Sequence, residues 1–205
     1  MDMEQLIASI VADKQQHARW LNTLSLMENT GARKISASEH QKDVTLIVLK
    51  HAAEEHRHAF YLKKQLAKLG EGLCPTYADD YLLAPRESRH YLNALDVQVC
   101  KYLKTALGLN GSDLKFAAYL LVTYAIEVRA DALYPIYQDV LDAFESKVNV
   151  KSIIAEEEGH LEEMIHQLSN FSPQWKVYAN KALEMENRLF NEWLKALQVY
   201  NVVHQ

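Results

Sequence analysis

Two stretches of the chain, AEEHRHAFY at residues 53–61 and AEEEGHLEE at residues 155–163, carry the pattern from which the fold can be inferred. Each contains Glu-x-x-His, as Glu55/His58 and Glu157/His160. In a helix, residues three apart lie on one face, so the carboxylate and the imidazole can reach the same metal ion. With 17 Glu and 9 His in 205 residues, chance predicts about 0.7 such pairs. Four are present, several times the number that chance predicts.

The four Glu-x-x-His pairs differ in the face of the helix that they occupy. Glu55/His58 and Glu157/His160 interrupt stripes of apolar residues at helical spacing, so both pairs are predicted to point into the protein core. The stripes consist of Val44, Val48, Leu62 and Leu66 in the first stretch, and of Ile153, Leu161, Met164 and Leu168 in the second.

The other two pairs have simpler explanations. Glu163/His166 lines up with Gln167 on a polar strip, which is typical of a solvated helix face. Glu87/His90 falls in the first turn of a predicted helix, where the helix dipole favours glutamate. Neither pair is predicted to bind metal.

Two lone glutamates, Glu28 and Glu127, also interrupt apolar stripes. An unpaired carboxylate in the core is costly and needs a compensating partner. The remaining inward-facing candidates are largely carboxylates as well, so a metal cation is the partner that the pattern favours.

Spacing along the chain supports a single site. Glu28 and Glu55 are 27 residues apart, and their midpoint near residue 41 falls close to the predicted joint at 36–39. Glu127 and Glu157 are 30 residues apart, and their midpoint near residue 142 falls just before the predicted joint at 145–149. Antiparallel helices bring residues to one depth when those residues straddle the turn symmetrically. Each half of the chain is therefore predicted to supply half a site.

The sequence predicts an all-α fold in a single domain over residues 1–205. Gly and Pro are scarce, at 6 and 4 residues, and strand alternation is not evident. Ser36 and Glu39 form an S-x-x-E capping box that predicts a helix start, Pro85 suits a first helical turn, and Pro135 predicts a kink. The predicted helices span 3–35, 36–70, 86–107, 113–145, 150–170 and 172–200, with a loop at 71–85.

Composition excludes several classes of protein. The net charge of −5, without a Lys/Arg block, argues against nucleic-acid binding. Two cysteines without CxxC spacing do not form a disulfide framework. The first residues lack a signal-peptide pattern, and no stretch approaches the roughly 20 apolar residues of a membrane span, so the cytoplasm is the expected location.

The order Glu28, Glu55/His58, Glu127, Glu157/His160 resembles the E…ExxH…E…ExxH pattern of the ferritin-like di-iron carboxylate superfamily. The matching helices span most of residues 3–170. The resemblance implies a four-helix bundle, here with an additional crossover helix and a C-terminal helix. It also implies two iron ions, with manganese as the alternative, held by these six residues.

By resemblance, the two motif glutamates bridge the metals, the lone glutamates are terminal ligands, and each histidine binds one metal. Several di-iron enzymes also carry an acidic residue before each motif, bonded to the histidine of the opposite motif. Glu54 and Glu156 stand at those positions and are expected to orient His160 and His58 respectively. The alternative is that both are ordinary exposed acids.

Three residues near the motifs leave alternatives open. Gly159, unusual inside a helix, either leaves space for dioxygen or substrate or weakens its turn. Tyr61 and Tyr124 lie three residues from predicted ligands, where a radical or hydrogen-bonding role competes with core packing, the favoured interpretation.

The resemblance implies an oxidoreductase, an oxygenase or oxidase that activates dioxygen for a small, apolar organic substrate and uses an unidentified electron donor. The extra helix and loop 71–85 are expected to wall a substrate tunnel. A ferroxidase or iron-storage subunit is the alternative, and a metal-bound bundle with a binding role is the third hypothesis. A homodimer is the expected assembly.

Overall fold

A computed structural model describes residues 1–203, apart from the side chains of residue 158 and of residues 201–203. Helices account for all regular structure in this part of the chain, which confirms the all-α prediction. The α-helices are α1 (Met3–Ala12), α2 (Lys14–Ser38), α3 (Leu46–Leu69), α4 (Pro85–Leu107), α5 (Gly111–Ala143), α6 (Lys151–Phe171) and α7 (Trp175–Val203), with a short 3-10 helix at Asp79–Tyr81.

Two long antiparallel pairs form the frame of the molecule. Helix α2 packs along α3, and α5 packs along α6. Helix α4 contacts α2, α5 and α7, and α1 packs against α2 and α5. No helix in residues 1–203 combines the length and the apolar character that crossing a bilayer requires.

The predicted first helix is divided at Asp13. The Asp13 backbone ends α1, and its carboxylate accepts a hydrogen bond of 2.8 Å from the backbone N–H of Gln16, so it caps α2. An aspartate at this position satisfies an amide that would otherwise lack a partner at the start of the helix. The single helix predicted over 3–35 is therefore two helices.

The predicted helix start at Ser36 is wrong. Ser36 lies inside α2, and its hydroxyl donates a hydrogen bond of 2.9 Å to the carbonyl of Ala32 in the preceding turn. A serine hydroxyl that bonds back into its own helix does not cap a new one. Helix α3 begins only at Leu46, and Val44, predicted on its inner stripe, is exposed in the loop before it.

The later boundaries agree with the predictions to within a few residues. Helix α4 begins with Pro85 and ends at Leu107. The next residue, Gly108, has a φ of 65°, a left-handed conformation that glycine adopts without strain. Helix α5 begins at Gly111, two residues before the predicted start, with Asn110 as its N-cap, and it continues through Pro135.

Candidate metal centre

The six residues predicted as metal ligands meet between the two helix pairs. Their ligand atoms form two groups, and within each group these atoms lie within 4.8 Å of one another. Both groups share Glu55. All six side chains are buried except that of Glu28, which is partly exposed. The groups are Glu55, Glu127, Glu157 and His160 in one, and Glu28, Glu55 and His58 in the other.

Glu157 lies between the two histidines. Its Oε1 is 3.1 Å from His58 Nδ1, and its Oε2 is 3.2 Å from His160 Nδ1. The Oε2 atom of Glu127 is 3.6 Å from the same nitrogen of His160. Both rings therefore turn Nδ1 toward the carboxylates, and one carboxylate reaches both halves of the cluster.

The Nε2 atom of each histidine is hydrogen-bonded to a carboxylate that belongs to neither ligand group. In both cases the histidine and its carboxylate lie on different helices, one on α3 and the other on α6. Glu156 Oε2 lies 2.7 Å from His58 Nε2, and Glu54 Oε2 lies 2.9 Å from His160 Nε2. Arg57 forms an ion pair with Glu156 as well. A carboxylate that accepts from Nε2–H places the ring proton there, which leaves the Nδ1 lone pair directed at the cluster and available to a cation.

Burial and mutual repulsion disfavour full ionisation of the cluster. Burial, and then the neighbouring carboxylates led by Glu28, raise the pKa of Glu55 well above its ordinary value. Burial and the adjacent Glu157 raise the pKa of Glu127 in the same way. Both shifts favour the protonated form of these carboxyl groups over the form that a solvated glutamate adopts.

The histidines show the complementary effect. Burial alone would lower the pKa of His160, but hydrogen bonds with Glu127 and Glu157 outweigh it and raise the pKa to about 11. Burial alone would raise the pKa of Glu157, but its interactions with Glu127, His160 and His58 outweigh burial and lower the pKa. In the metal-free protein, protonated imidazole therefore supplies positive charge beside the carboxylates. A bound metal ion would displace these protons and supply the positive charge itself.

The donor set fits metal binding. His58 Nδ1 is buried and makes no hydrogen bond of acceptable geometry among the described residues, and Glu157 Oε1 lies 3.1 Å from it. A buried ring nitrogen of this kind is costly unless something binds it. Four carboxylates and two imidazoles are together neutralised by two divalent cations. The cluster can therefore hold metal, and nothing in its geometry opposes this.

The two discounted motifs lie outside both groups. His90 and His166 are exposed, and His166 bonds to Asn170 on its own helix. Glu163, however, does not lie on a purely solvated face, since its carboxylate is 3.0 Å from His51 Nε2 and 2.5 Å from Lys50 Nζ.

His51 is a residue that the sequence analysis missed. It is 1% exposed, its Nδ1 lies 2.8 Å from the Tyr119 hydroxyl, and its ring centroid is 5.1 Å from that of His160. His51 precedes Glu55 by four residues and His58 by seven, so all three share a helix face. That spacing was the available signal.

Tyr134 was also missed as a site residue. Its buried hydroxyl donates a hydrogen bond to Glu28 Oε1. It follows Glu127 by seven residues, which again places both on one face of α5. By contrast, Tyr61 bonds to Asn149 and Tyr124 packs edge-on against Trp175, as expected of structural tyrosines.

Gly159 does not open space at the cluster. It is exposed, and a Cβ atom built there would meet no described atom within 4 Å. Gly31 is the glycine that faces the site, where an added Cβ would lie 3.7 Å from Glu55 Oε2.

A cavity of about 340 Å³ adjoins the cluster, and Glu28, Glu55 and Glu127 form part of its wall. Most of the remaining wall is apolar and comes from α2, α4, α5 and α7. Helix α4 lines this cavity, and residues 71–84 are not among its lining residues. Representative apolar lining residues are Leu24, Met27, Leu92, Val122, Ile126 and Leu133.

Comparison of the chain with protein-family models, with curated proteins and with solved structures found no match.

Proposed function

We propose that the chain is a ferritin-like di-iron oxygenase or oxidase that activates dioxygen for a small, apolar organic substrate. The observation that carries this proposal is the apolar cavity whose wall includes three of the cluster's glutamates. An iron-handling protein needs a polar route for Fe(II), whereas this wall suits an organic molecule. A volume of about 340 Å³ lies within the range of small-molecule sites.

The helix arrangement supports the ferritin-like assignment. Helices α2, α3, α5 and α6 would be the four members of the bundle, with a lone glutamate on α2 and on α5 and a Glu-x-x-His on α3 and on α6. This distribution is the one used by di-iron and di-manganese bundle proteins. Helix α4 would be the crossover and α7 the additional C-terminal helix.

The ligand chemistry supports iron, with manganese as the alternative. Oxygen-rich ligation with two imidazoles suits these metals better than a structural zinc site, which prefers four sulfur or nitrogen ligands. Two such ions would supply electrons to dioxygen at one point. The four glutamates and two histidines of the two groups would hold the ions, and Tyr134 would orient Glu28 through their hydrogen bond.

Residues of the cavity wall would control whether water or substrate reaches the metal cluster. The apolar wall around Val122 and Ile126 would exclude water and hold the substrate against the cluster. Glu54 and Glu156 would keep Nδ1 of both histidines directed inward.

Metal analysis tests the centre. Wild-type protein purified in air should carry about two irons per chain with an oxo-bridge absorption, and Glu157→Ala should lose at least one metal. Glu163→Ala, on the same helix but outside both ligand groups, is the matched control and should keep its metal content. Equal metal content in the two variants would refute the proposed ligand set.

A cavity-filling variant separates the oxygenase from the ferroxidase alternative. Val122→Phe should occlude the cavity without touching a ligand. We expect it to retain metal and the oxidation of added Fe(II), while product formation from a panel of apolar alcohols, aldehydes and aromatics, followed by mass spectrometry, falls at least tenfold. Unimpaired turnover of an organic substrate in this variant would show that the cavity is not the substrate site.

A further inference from the structure

Four oxidisable rings form a continuous buried path that starts at the cavity. The ring centroids of Tyr91 and Trp193 are 6.0 Å apart, those of Trp193 and Trp20 are 5.7 Å apart, and those of Trp20 and Tyr137 are 6.0 Å apart. We refer to Tyr91, Trp193, Trp20 and Tyr137 as the aromatic chain. Tyr91 and Trp193 line the cavity, and every member is at most 5% exposed.

The two tyrosines differ in the group that can take their proton. The Tyr137 hydroxyl is 2.7 Å from His17 Nε2. Burial lowers the pKa of His17 to about 4, so its ring is neutral at physiological pH, and with the ring proton on Nδ1 it can accept another at Nε2. The Tyr91 hydroxyl instead donates to Glu186, 2.5 Å away, whose carboxylate is already paired with Arg129. Protonating Glu186 would cost that buried ion pair.

Among the described residues, neither tryptophan has a base hydrogen-bonded to its indole N–H. Trp193 donates its indole N–H to the hydroxyl of Ser88, 2.8 Å away, and Trp20 Nε1 is buried without a hydrogen bond among the described residues. A one-electron-oxidised indole in these positions cannot hand its proton to a neighbour. The tryptophans are therefore suited to pass charge on, and Tyr137 is suited to retain it.

We propose that the aromatic chain conducts oxidising equivalents from the cavity to Tyr137, where they rest as a neutral tyrosyl radical beside protonated His17. In the last step, Tyr137 gives one electron to oxidised Trp20, which returns to neutral indole. The Tyr137 O–H bond breaks, and the proton forms an N–H bond on His17 Nε2. The natural one-electron oxidant is a product of the reaction of dioxygen with the metal centre, and to this extent the inference rests on the proposed function.

Such a path would protect the site. When dioxygen reacts and no substrate occupies the cavity, the oxidising power would otherwise attack nearby ligands and apolar side chains. Transfer of the oxidising equivalent through Tyr91 and Trp193 would move it to Trp20 on α2 and then to Tyr137 on α5, away from the carboxylates of the cluster. Reduction at Tyr137 by an external donor, with return of the proton from His17, would reset the protein.

Metal-free protein provides the test. Cys100 lines the cavity and is half-buried, whereas Cys74 is buried, so a thiol-reactive ruthenium polypyridyl photosensitiser is directed to Cys100 and its position checked by peptide mass spectrometry. Flash oxidation with a cobalt(III) ammine as electron acceptor, followed by rapid freezing, should yield a tyrosyl radical by electron paramagnetic resonance. Protein containing ring-deuterated tyrosine should show a correspondingly narrowed signal.

Variants assign the radical and its route. Tyr137→Phe, which removes one hydroxyl, should abolish the tyrosyl signal, while the matched control Tyr124→Phe, outside the aromatic chain, should keep it. Trp20→Phe should abolish it although Tyr137 is intact, because phenylalanine is too hard to oxidise. His17→Gln retains a hydrogen-bonding group without a base and should reduce the yield at least tenfold. Circular dichroism verifies that each variant is folded.

The outcomes separate the two proposals. No radical in wild-type protein, an unchanged spectrum in Tyr137→Phe, or a full yield in Trp20→Phe would each overturn the aromatic chain. A radical in the photosensitised, metal-free protein, together with no consumption of dioxygen by the reduced iron-loaded protein, would support the aromatic chain and refute dioxygen activation at the centre.

Discussion

Glu156 and Glu54 show how a single side chain sets the chemistry of another. Each accepts from Nε2 of a histidine on the opposite helix, at 2.7 and 2.9 Å, and so decides which nitrogen of His58 and His160 faces the cluster. Outer-shell carboxylates of this kind raise the basicity of a histidine ligand and hold its ring in place.

Removing one of them should weaken metal binding without removing a ligand. We expect Glu156→Ala to lower iron affinity by about 10- to 100-fold, measured by chelator competition. Glu162→Ala is the control, because Glu162 is exposed on the same helix. Equal affinities in the two variants would mean that the Glu156 contact does not orient His58.

The buried side chain of His17 predicts how the free energy of unfolding depends on pH under acidic conditions. Its pKa falls from 6.5 to about 4 on burial, so between these values the unfolded chain binds a proton that the folded chain does not. The free energy of unfolding should therefore fall as pH drops through this window, by about 3 kcal/mol in total. His17→Gln should remove that part of the pH dependence in urea unfolding, whereas His166→Gln, at an exposed position, should not.

At the scale of the elements, short polar side chains decide where helices begin. Asp13 divides what apolar spacing predicts as one helix, whereas Ser36, in a capping-box pattern, bonds back into α2 and starts nothing. Local sequence does not distinguish these cases. The distinction depends on whether the chain must change direction there, which α1 does in order to pack against α2 and α5.

The cap at Asp13 should contribute measurably to stability. Asp13→Ala is expected to lower the free energy of unfolding by about 1 kcal/mol in urea denaturation, because an amide at the start of α2 loses its acceptor. Asp139→Ala, at an exposed position inside α5, is a matched control. There the change should be slightly stabilising, since alanine favours a helix interior more than aspartate does.

At the scale of the whole molecule, the cluster links the two helix pairs. Its carboxylates repel one another across the interface, and burial disfavours their ionisation, so the metal-free protein carries an electrostatic cost. A ligand that binds only the folded state offsets such a cost by mass action. Metal binding should therefore stabilise the folded protein against unfolding.

Iron(II) or manganese(II) added under anaerobic conditions at about 100 times its dissociation constant should raise the melting temperature by about 5–10 °C. The response should be largely lost in Glu157→Ala and kept in Glu163→Ala. An equal shift in both variants would mean that the stabilising ions bind elsewhere.

The sequence by itself determined the all-α class and singled out six inward-facing side chains that the structure brings together. Both follow from helical periodicity, which is a local property of the backbone and can be read from spacing. The tertiary structure alone decided that both ligand groups share Glu55, that Glu163 pairs with His51, and that α4 rather than residues 71–84 walls the cavity. These features join residues far apart in the chain, so they depend on how whole helices pack, and spacing within one helix does not encode them.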